Sequence, residues 1–367
     1  MKCFFCFKGS HNKKSRPERK RPTTSDNSPR TTNATEPPRL SPSPRGRIPE
    51  LYEERVPTLR VFSFSDLRVA TNDFSRSLRI GKGGFGNVFK GSIAPANGKD
   101  KPSLVAIKKL DKRSLQGHKE WLAEVHILGV VDHPNLVKLL GYCCSNGQRG
   151  IRRLLVYEFM PNKTLEHHLF SCGLPPLPWE TRLRIILSAA QGLAYLHEGL
   201  KTQIIYRDFK SSNVLLDEKF SAKLSDFGLA REGPSDGRSH VSTTVMGTYG
   251  YAAPEYVETG KLTTKSDLWS FGVVLYELLT GRRTVEINRL RIEQKLLDWV
   301  KEFPADSSKF SLIIDPRLRD QYSLTAARKI ARLADSCLNK NPKDRPTMSE
   351  AVEILKEAMQ VSEVGSA

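Results

Sequence analysis

The chain lacks any long apolar run. No stretch approaches the ~18 apolar residues that a membrane-spanning helix needs, so an integral membrane protein is excluded. The aromatic run Cys3–Phe7 is too short for the apolar core of a secretory signal peptide, and we expect none. Cysteine is scarce as well, with six in 367 residues. So few cysteines do not form a disulfide framework, and they fit a reducing compartment.

Positive charge, by contrast, is abundant. Lys and Arg number 58 against 40 Asp and Glu, which gives a net charge of +18. This balance predicts an anionic partner: a nucleotide phosphate, a membrane surface or nucleic acid. The densest charge lies in residues 1–60, which hold 14 basic and 6 acidic residues and 9 of the 22 prolines. Such a segment buries too little apolar surface to fold, so we predict a disordered basic tail there.

The rest of the chain is predicted to form one globular region over residues 61–360, followed by a short C-terminal tail over 361–367. Strand patterns with turn signals dominate about 70–157, with helical spacing between Leu115 and Val130. From about 162 to 360 the pattern is mostly helical. Strands followed by helices in this order predict two lobes with a site between them.

A glycine-rich turn joins the first two strand-like runs. It comprises Gly81, Lys82, Gly83, Gly84, Phe85 and Gly86, with Val88 in the strand that follows. Glycines let backbone N–H groups approach a phosphate closely. A dinucleotide-binding turn is disfavoured because a strand follows it, and no Gly-Lys-Ser/Thr ends it as in a P-loop.

The next strand carries a lysine that needs an anion. Lys108 ends the run Val105-Ala106-Ile107-Lys108, which we expect to be buried on both faces. A buried ammonium requires a partner of opposite charge. Glu124, sixteen residues further on in the helical segment, is the candidate, although surface positions for both residues remain the alternative.

Three further motifs follow in the helical half. They are Tyr206-Arg207-Asp208-Phe209-Lys210-Ser211-Ser212-Asn213, Asp226-Phe227-Gly228 and Ala253-Pro254-Glu255. With the glycine loop and Lys108, they resemble the eukaryotic protein kinase family over about 70–360. The resemblance implies an α+β, bilobal fold with a small antiparallel sheet and one main helix in the N-lobe and a larger, mostly helical C-lobe. It also implies ATP and Mg²⁺ as cofactors, with Mn²⁺ as a substitute.

The same resemblance assigns catalytic roles. Asp208 would orient the substrate hydroxyl and accept its proton, and Lys210 would neutralise the γ-phosphoryl group. Lys108, set by Glu124, would hold the α- and β-phosphates. Asn213 and Asp226 would hold Mg²⁺. A lysine two residues after Asp208 resembles serine/threonine kinases, so the expected substrates are Ser and Thr side chains of proteins.

Nucleotide contacts and packing also come by resemblance. Val88, Ala106 and Leu215 would sandwich adenine, with Tyr157 as gatekeeper and with the backbones of Glu158 and Met160 bonded to the purine. Leu128, Leu139, Tyr206 and Phe227 would stack as the family's regulatory spine, or would simply be core, and both interpretations predict burial. Tyr206 replaces the usual His, which packs under Phe227, so we expect no loss of activity. Glu255 and Arg345 match a buried ion pair, and Asp267 matches the residue that holds the catalytic loop.

The segment between Asp226 and Glu255 is rich in Ser and Thr. Arg207 could pair with a phosphate there, since bidentate contact with an arginine can order a loop. We predict that phosphorylation of Ser242 or Thr243 activates the enzyme, whereas Thr248 shapes the substrate groove.

Residues 62–74 resemble the lead-in to plant receptor-like kinases, and Ser65 is the expected N-cap of a short helix there. Residues 155–160, 206–210 and 245–255 resemble, more narrowly, the plant receptor-like cytoplasmic kinases of subfamily VII. The resemblance implies a relay from receptor kinases at the plasma membrane to protein substrates, most commonly in innate immunity, with growth and hormone signalling as alternatives. Residue 2 is Lys, so the myristoylation motif is absent.

Cys3 and Cys6 lie among basic residues instead. Two acyl chains with a polybasic patch anchor a protein stably, so we predict S-palmitoylation and attachment to the anionic cytoplasmic face of the plasma membrane. Unmodified thiols and a nuclear signal over residues 13–22 are the alternatives.

Two other functions are disfavoured by the sequence. A pseudokinase scaffold would lack a catalytic Lys, Asp or Asn, and none is missing. A nucleic-acid partner is not expected, because the densest charge lies in the tail beside the cysteines rather than on a folded surface with interleaved aromatic residues.

Overall fold

The computed structural model describes residues 59–83, 86–94, 101–111, 115–147, 150–235 and 237–364. Residues 1–58 of the tail predicted over 1–60, with Cys3 and Cys6, lie outside these residues, as do Gly84 and Phe85 of the glycine loop. Within them the chain forms the two expected lobes. A sheet with two helices precedes a larger helical part, which confirms the predicted fold class.

Six strands form the sheet of the N-lobe. They are β1 (Arg60–Val61), β2 (Arg79–Gly83), β3 (Gly86–Ile93), β4 (Ser103–Leu110), β5 (Leu139–Ser145) and β6 (Arg152–Glu158). Their spatial order is β1-β5-β6-β4-β3-β2. The pairs are antiparallel except β1–β5, which is parallel, so the sheet is mixed rather than antiparallel throughout.

A glycine admits the extra strand. A Cβ added at Gly141 would lie 2.0 Å from the carbonyl oxygen of Arg60, so only glycine lets β1 approach β5. The N-lobe therefore begins near residue 60 and not near 70 as expected.

Helix α1 (Phe64–Ala70) covers the outer face of the sheet. Leu67 is fully buried there in a cluster with Phe62, Val105 and Ile107. The N-cap is Ser63, whose Oγ accepts from the N–H of Asp66 at 3.0 Å, so the prediction of Ser65 was wrong.

Only one face of β4 is fully buried. Val105 and Ile107 are completely buried, whereas Ala106 and Lys108 are half-buried on the opposite face. The expectation of burial on both faces was therefore wrong, because that second face lines the cleft between the lobes. Helix α2 (Leu115–Leu128) packs beside the sheet and matches the predicted helical segment.

The C-lobe contains seven helices and several two- and three-residue strands among its described residues. The helices are α3 (Leu165–Phe170), α4 (Trp179–Glu198), α5 (Pro254–Thr259), α6 (Thr264–Thr280), α7 (Leu296–Val300), α8 (Leu324–Cys337) and α9 (Met348–Val364). The strands are β7 (Ile204–Ile205), β8 (Val214–Leu216), β9 (Ala222–Leu224), β10 (Arg231–Glu232), β11 (Val241–Ser242) and β12 (Lys261–Leu262). Because α9 runs to Val364, the folded region extends past the expected boundary at 360.

Helix α6 is the axis of this lobe. It is buried over nearly its whole length, from Ser266 to Thr280, and it starts at a capping box formed by Thr263 and Ser266. It ends at Gly281, whose φ of 64° favours glycine. Within the part of the chain that the structure describes, none of the helices has the length and apolar character needed to cross a membrane.

Candidate active site

Lys108 lies between two carboxylates in the cleft. Its Nζ is 2.6 Å from Oε1 of Glu124 on α2 and 2.7 Å from Oδ1 of Asp226. Burial alone would lower the pKa of Lys108, but the charges of Asp226 and Glu124 raise it above its ordinary value. The lysine is therefore a fixed cation, held by a helix of one lobe and a loop of the other.

Glu124 itself is fully buried on the inner face of α2. Burial raises the pKa of its carboxyl, and the charge of Lys108 opposes that rise. The hydroxyl of Tyr157 also donates to Oε2 of Glu124, a contact that the sequence did not predict. The gatekeeper position and the ion pair are thus joined through one carboxylate.

The catalytic loop surrounds Asp208 with donors. Its Oδ1 accepts from the hydroxyl of Thr248 at 2.7 Å, and its Oδ2 lies 2.7 Å from Nζ of Lys210 and 3.1 Å from Nδ2 of Asn213. Lys210 also donates to the Thr248 hydroxyl at 2.8 Å. Thr248, expected only to shape the substrate groove, therefore contacts both predicted catalytic side chains.

The loop keeps its shape because Asp267 anchors its backbone. Oδ2 of Asp267 accepts from the N–H of Tyr206 at 2.8 Å, and Oδ1 accepts from the N–H of Arg207 at 2.6 Å. Nε2 of His197 lies 2.8 Å from the same carboxylate, and both side chains are buried. The predicted role of Asp267 matches these contacts, whereas His197 gave no signal in the sequence.

Tyr206 fills the space under the Asp-Phe-Gly turn. Its ring packs edge-on against Phe227 with centroids 5.1 Å apart, and its hydroxyl donates to the carbonyl of Ser225. Leu128, Leu139, Tyr206 and Phe227 belong to one buried cluster, as both interpretations of the spine require.

Two parts of the N-lobe line the cleft: the glycine hairpin between β2 and β3, and the hinge, which is the segment that follows β6. A Cβ at Gly86 would lie 2.3 Å from the carbonyl oxygen of Lys109, so that position requires glycine. Gly81, Lys82 and Gly83 lie in β2. The three predicted adenine contacts, Val88, Ala106 and Leu215, are half-buried, and Met160 is buried.

The side chain of Glu158 does more than the sequence indicated. Its carboxylate lies 2.8 and 2.9 Å from Nζ of Lys223 in β9, and it also accepts from the N–H of Lys138 at 2.8 Å. Lys223 was not singled out by the sequence, because no local pattern marks a lysine 65 residues away as its partner.

The oxygen donors fit a divalent cation that shares its coordination with phosphates. Nδ2 of Asn213 donates to the backbone carbonyl of Asp208 at 2.9 Å, which leaves its amide oxygen as an acceptor. The Asp226 side chain is half exposed toward the cleft. The described residues hold no cluster of three or more His, Cys, Asp or Glu side chains for a metal. One carboxylate and one amide suit Mg²⁺, which takes its other ligands from phosphate and water.

Arg207 turns away from Asp208 toward the segment between Asp226 and Glu255. Its Nε donates to the Tyr256 hydroxyl at 2.8 Å, and its Nη2 donates to the carbonyl of Thr244 and lies 3.4 Å from Oγ1 of Thr243. Nη1 is buried and has no hydrogen-bond partner among the described residues. The pKa of Arg231 is lowered, first by burial and then by the positive charge of Arg207. Arg231 is therefore a second cation close to Arg207.

The predicted Glu255–Arg345 pair is confirmed. Nη1 and Nη2 of Arg345 bind the two carboxylate oxygens at 2.8 and 2.7 Å, and the arginine is fully buried. A second buried pair, Arg182 with Asp315 at 2.5 Å, was missed because its members lie 133 residues apart without any local motif.

The cleft places a Gly-rich hairpin and a lysine held by two acids on one side and an Asp-Lys-Asn loop on the other. This arrangement is that of a phosphotransferase that binds a nucleotide between two lobes. The chain belongs to the protein kinase family, since the protein kinase domain matches residues 74–355. ATP and a divalent metal ion are the cofactors that this family uses.

The proteins that are similar to this chain indicate which kind of protein kinase it is. The chain is 56% identical to the serine/threonine-protein kinase PCRK1 of Arabidopsis thaliana over 308 residues, 84% of this chain and 74% of that protein. It is 55% identical to PCRK2 of the same plant over 85% of this chain and 74% of the relative. It is also 55% identical to the probable serine/threonine-protein kinase PBL20 over 89% and 84%, respectively. The chain is therefore a serine/threonine-protein kinase, and the resemblance to plant receptor-like cytoplasmic kinases is confirmed.

Proposed function

We propose that this kinase uses Asp208, Lys210, Lys108 and Asn213 with Asp226 to transfer the γ-phosphoryl group of ATP to Ser and Thr hydroxyls of proteins. The observation that carries the proposal is the Asp208 carboxylate, held by Thr248, Lys210 and Asn213 at 2.7–3.1 Å. A substrate hydroxyl that replaces the Thr248 contact would give its proton to Asp208. Lys210 stays beside the transferred group, and Lys108 holds the other phosphates.

Mg²⁺, held by Asn213 and Asp226, would supply charge neutralisation at the phosphates, and Mn²⁺ would bind the same oxygen ligands. The carboxylate of Asp226 is ready for this role because the charge of Lys108 lowers its pKa against the effect of burial. The glycine loop, including Gly84 and Phe85, would cover the phosphates.

The test is phosphoryl transfer by the purified chain with ATP, Mg²⁺ and dephosphorylated casein. Asp208→Asn removes the proton acceptor, and we expect a fall of about 10²–10⁴-fold in kcat. Lys108→Met is expected to lower kcat/KM strongly. Asp298→Asn changes an exposed aspartate in α7 and serves as the matched control. Equal activity of Asp208→Asn and the control would refute the assignment.

Regulation is proposed to act through Thr243. Arg207 already contacts Thr243, and its unpartnered Nη1 with nearby Arg231 offers charge for a phosphate. Ser242 is less suited, because it is exposed in β11 opposite Lys261. A phosphate adds about −1.5 to −2 charge and would bind these arginines and order the segment.

The expected result is a loss of most activity in Thr243→Ala and little change in Ser242→Ala, both measured after activation with ATP. Phosphopeptide mapping of the wild-type chain gives the site occupancy. The proposal is wrong if the chain with both residues changed to Ala keeps full activity.

Signalling context follows from the resemblance. We infer that receptor kinases of the plasma membrane phosphorylate this chain, which then phosphorylates downstream proteins, with innate immune signalling as the first assignment and growth or hormone signalling as the second. Two observations support this inference: the similarity of the chain to the Arabidopsis kinases named above, and the basic sequence around Cys3 and Cys6.

The membrane proposal has its own test. S-palmitoylation of Cys3 and Cys6, with the basic tail on anionic lipid, would anchor the chain. In plant cells, a fluorescent fusion is expected at the plasma membrane, and Cys3→Ser with Cys6→Ser is expected in the cytoplasm. A Cys143→Ser fusion is the control, since that thiol is buried in the N-lobe. Full membrane retention without both cysteines would refute acylation.

A further inference from the structure

Three segments meet at the carboxylate of Glu158. The residue ends β6, at the start of the hinge between the lobes. Its Oε1 accepts from the N–H of Lys138, and both of its oxygens bind Nζ of Lys223 at 2.8 and 2.9 Å. Its own backbone N–H donates to the carbonyl of Lys138 at 3.1 Å. Lys223 lies in the C-lobe, so this contact crosses from one lobe to the other.

Strand β9 places Lys223 beside the proposed nucleotide site. Lys223 is directly opposite Leu215 in the β8–β9 pair. The next residue, Leu224, is bonded through its backbone to Asn135 and Val137 at 2.9 Å each. Asp226 follows two residues later. The strand that leads to the proposed metal ligand is therefore tied to the N-lobe by backbone bonds and by the Lys223 ammonium.

The ion pair is shielded enough to matter. The side chains of Lys223 and Glu158 are 19% and 28% exposed. A pair at that depth is less screened than a surface salt bridge, and the single ammonium contacts both carboxylate oxygens. Without Lys223 the carboxylate would keep only one N–H donor while remaining half-buried. The side chain would then turn toward water and carry the hinge backbone with it.

We propose that Lys223 is a positioning residue for the nucleotide: it holds the Glu158 carboxylate, and thereby sets the hinge backbone to which the purine binds. This inference rests on the proposed placement of adenine between Val88, Ala106 and Leu215. The pair acts on the binding of the nucleotide and not on the transfer step, because Lys223 binds the Glu158 carboxylate at the hinge, whereas the Asp208 carboxylate is held by Thr248, Lys210 and Asn213.

The test separates binding from chemistry in the full chain. ADP binding is measured by calorimetry, and KM for ATP and kcat are measured with casein. Lys223→Met is expected to raise both the ADP Kd and the KM for ATP about five- to ten-fold, with kcat within about two-fold of the wild type, a change of roughly 1 kcal/mol in binding. Lys223→Arg, which keeps the charge, is expected to restore both values to within about two-fold.

Lys219→Met is the matched control, since it removes an exposed lysine from the turn of the same hairpin. Glu158→Gln is expected to raise KM as Lys223→Met does, and the double variant is expected to be no worse than either single variant. An unchanged Kd and KM in Lys223→Met, a change confined to kcat or to thermal stability, or additive effects in the double variant would overturn the proposal. Wild-type chain that binds ADP but transfers no phosphate would contradict the proposed function, while the ADP measurements would still decide the role of Lys223.

Discussion

At the scale of the residue, burial decides the protonation of Glu277. This glutamate lies in α6, fully buried, and its Oε1 accepts from the hydroxyl of Tyr251 at 2.8 Å. Burial raises its pKa to about 8, the charge of Glu166 adds to the rise, and the Tyr251 and Ser211 hydroxyls with the Thr284 backbone oppose it. Its Oε2 has no hydrogen-bond partner among the described residues, so nothing at that oxygen offsets the cost of burying a negative charge.

The free energy of unfolding should depend on pH through this group. Because the folded pKa lies above the unfolded value, the folded state binds more protons between about pH 4.5 and 8, so stability falls as pH rises through that window. Glu277→Gln removes this dependence. We expect the variant to gain stability relative to wild type by up to about 1 kcal/mol for each pH unit between 5 and 8.

Urea denaturation of both proteins at pH 5, 6, 7 and 8 measures the difference. Parallel stability profiles for wild type and Glu277→Gln would contradict the raised pKa. The substitution keeps the acceptor for Tyr251, so a loss of that hydrogen bond does not confuse the result.

Thr248 is the second residue whose role only its contacts reveal. Thr248→Ala removes a hydrogen bond to Asp208, which the substrate hydroxyl would replace in the reaction, and a hydrogen bond from the charged Lys210, of the kind worth about 1.5–3 kcal/mol. We expect kcat to fall about 10–100-fold on casein, with KM for ATP little changed. Thr248→Ser keeps the hydroxyl and should retain most activity. Equal kcat values for the two variants would show that the hydroxyl is not used.

At the scale of the element, helix α1 shows how a lead-in segment becomes part of a lobe. It is only seven residues long, so packing of Leu67 and the Ser63 cap must stabilise it. Aromatic side chains extend the contact: Phe74 packs against Phe64 and Phe89, with centroids 5.7 and 5.4 Å apart. The alternation at residues 62–67 indicated structure there, but it did not indicate which serine caps the helix.

Ser63→Ala is expected to lower the free energy of unfolding by about 1 kcal/mol, because the N–H of Asp66 loses its acceptor. Ser65→Ala is the matched control and should change stability by less than about 0.5 kcal/mol, since the hydroxyl of this exposed serine bonds to Oγ of Ser63 at 2.8 Å rather than to a backbone N–H of the helix. Chemical denaturation of the two variants distinguishes the caps. A larger effect of Ser65→Ala would restore the original assignment.

At the scale of the whole molecule, ion pairs between distant segments hold the C-lobe together. Arg182 of α4 binds Asp315 and also donates to the carbonyls of Leu177 and Leu278. The charge of Arg182 and the hydrogen bonds from Arg317 lower the pKa of Asp315 against the effect of burial. Arg345 ties the residues before α9 to Glu255 of α5 and to the carbonyl of Lys265.

Arg345→Leu should cost about 3 kcal/mol of stability, because it leaves a partly buried carboxylate without its partner. Thermal unfolding measures the loss. Glu255→Gln together with Arg345→Leu should be less destabilised than the sum of the two single variants, since the unpaired charge is then gone. Additive losses would show that the pair does not couple the two segments.

Much of this architecture could be predicted from local patterns. Each of these patterns lies within a short stretch of chain: the helical spacing that begins at Leu115, the glycine turn from Gly81 to Gly86 and each of the predicted catalytic motifs. The local sequence is therefore enough to predict the element or the kind of site. The strand at Arg60 could not be predicted, because a two-residue strand has no periodicity and its parallel pairing depends on Gly141, which lies 81 residues later.

The sequence by itself determined the class of protein, through motifs whose order and spacing resemble those of protein kinases, and it determined the order of the lobes. It also predicted which residues carry the chemistry, because glycine, lysine and aspartate at set spacings leave few other functions for that set. The tertiary structure alone decided which charges meet. Lys108 lies between acids from both lobes, Arg207 faces Thr243 instead of Ser242, and Glu158 meets Lys223. The contacts of Lys108 with Asp226 and of Glu158 with Lys223 cross between the lobes, and the contact of Arg207 with Thr243 lies within the C-lobe. All of them arise only when the chain folds, since electrostatic contact depends on distance in space and not on separation along the chain.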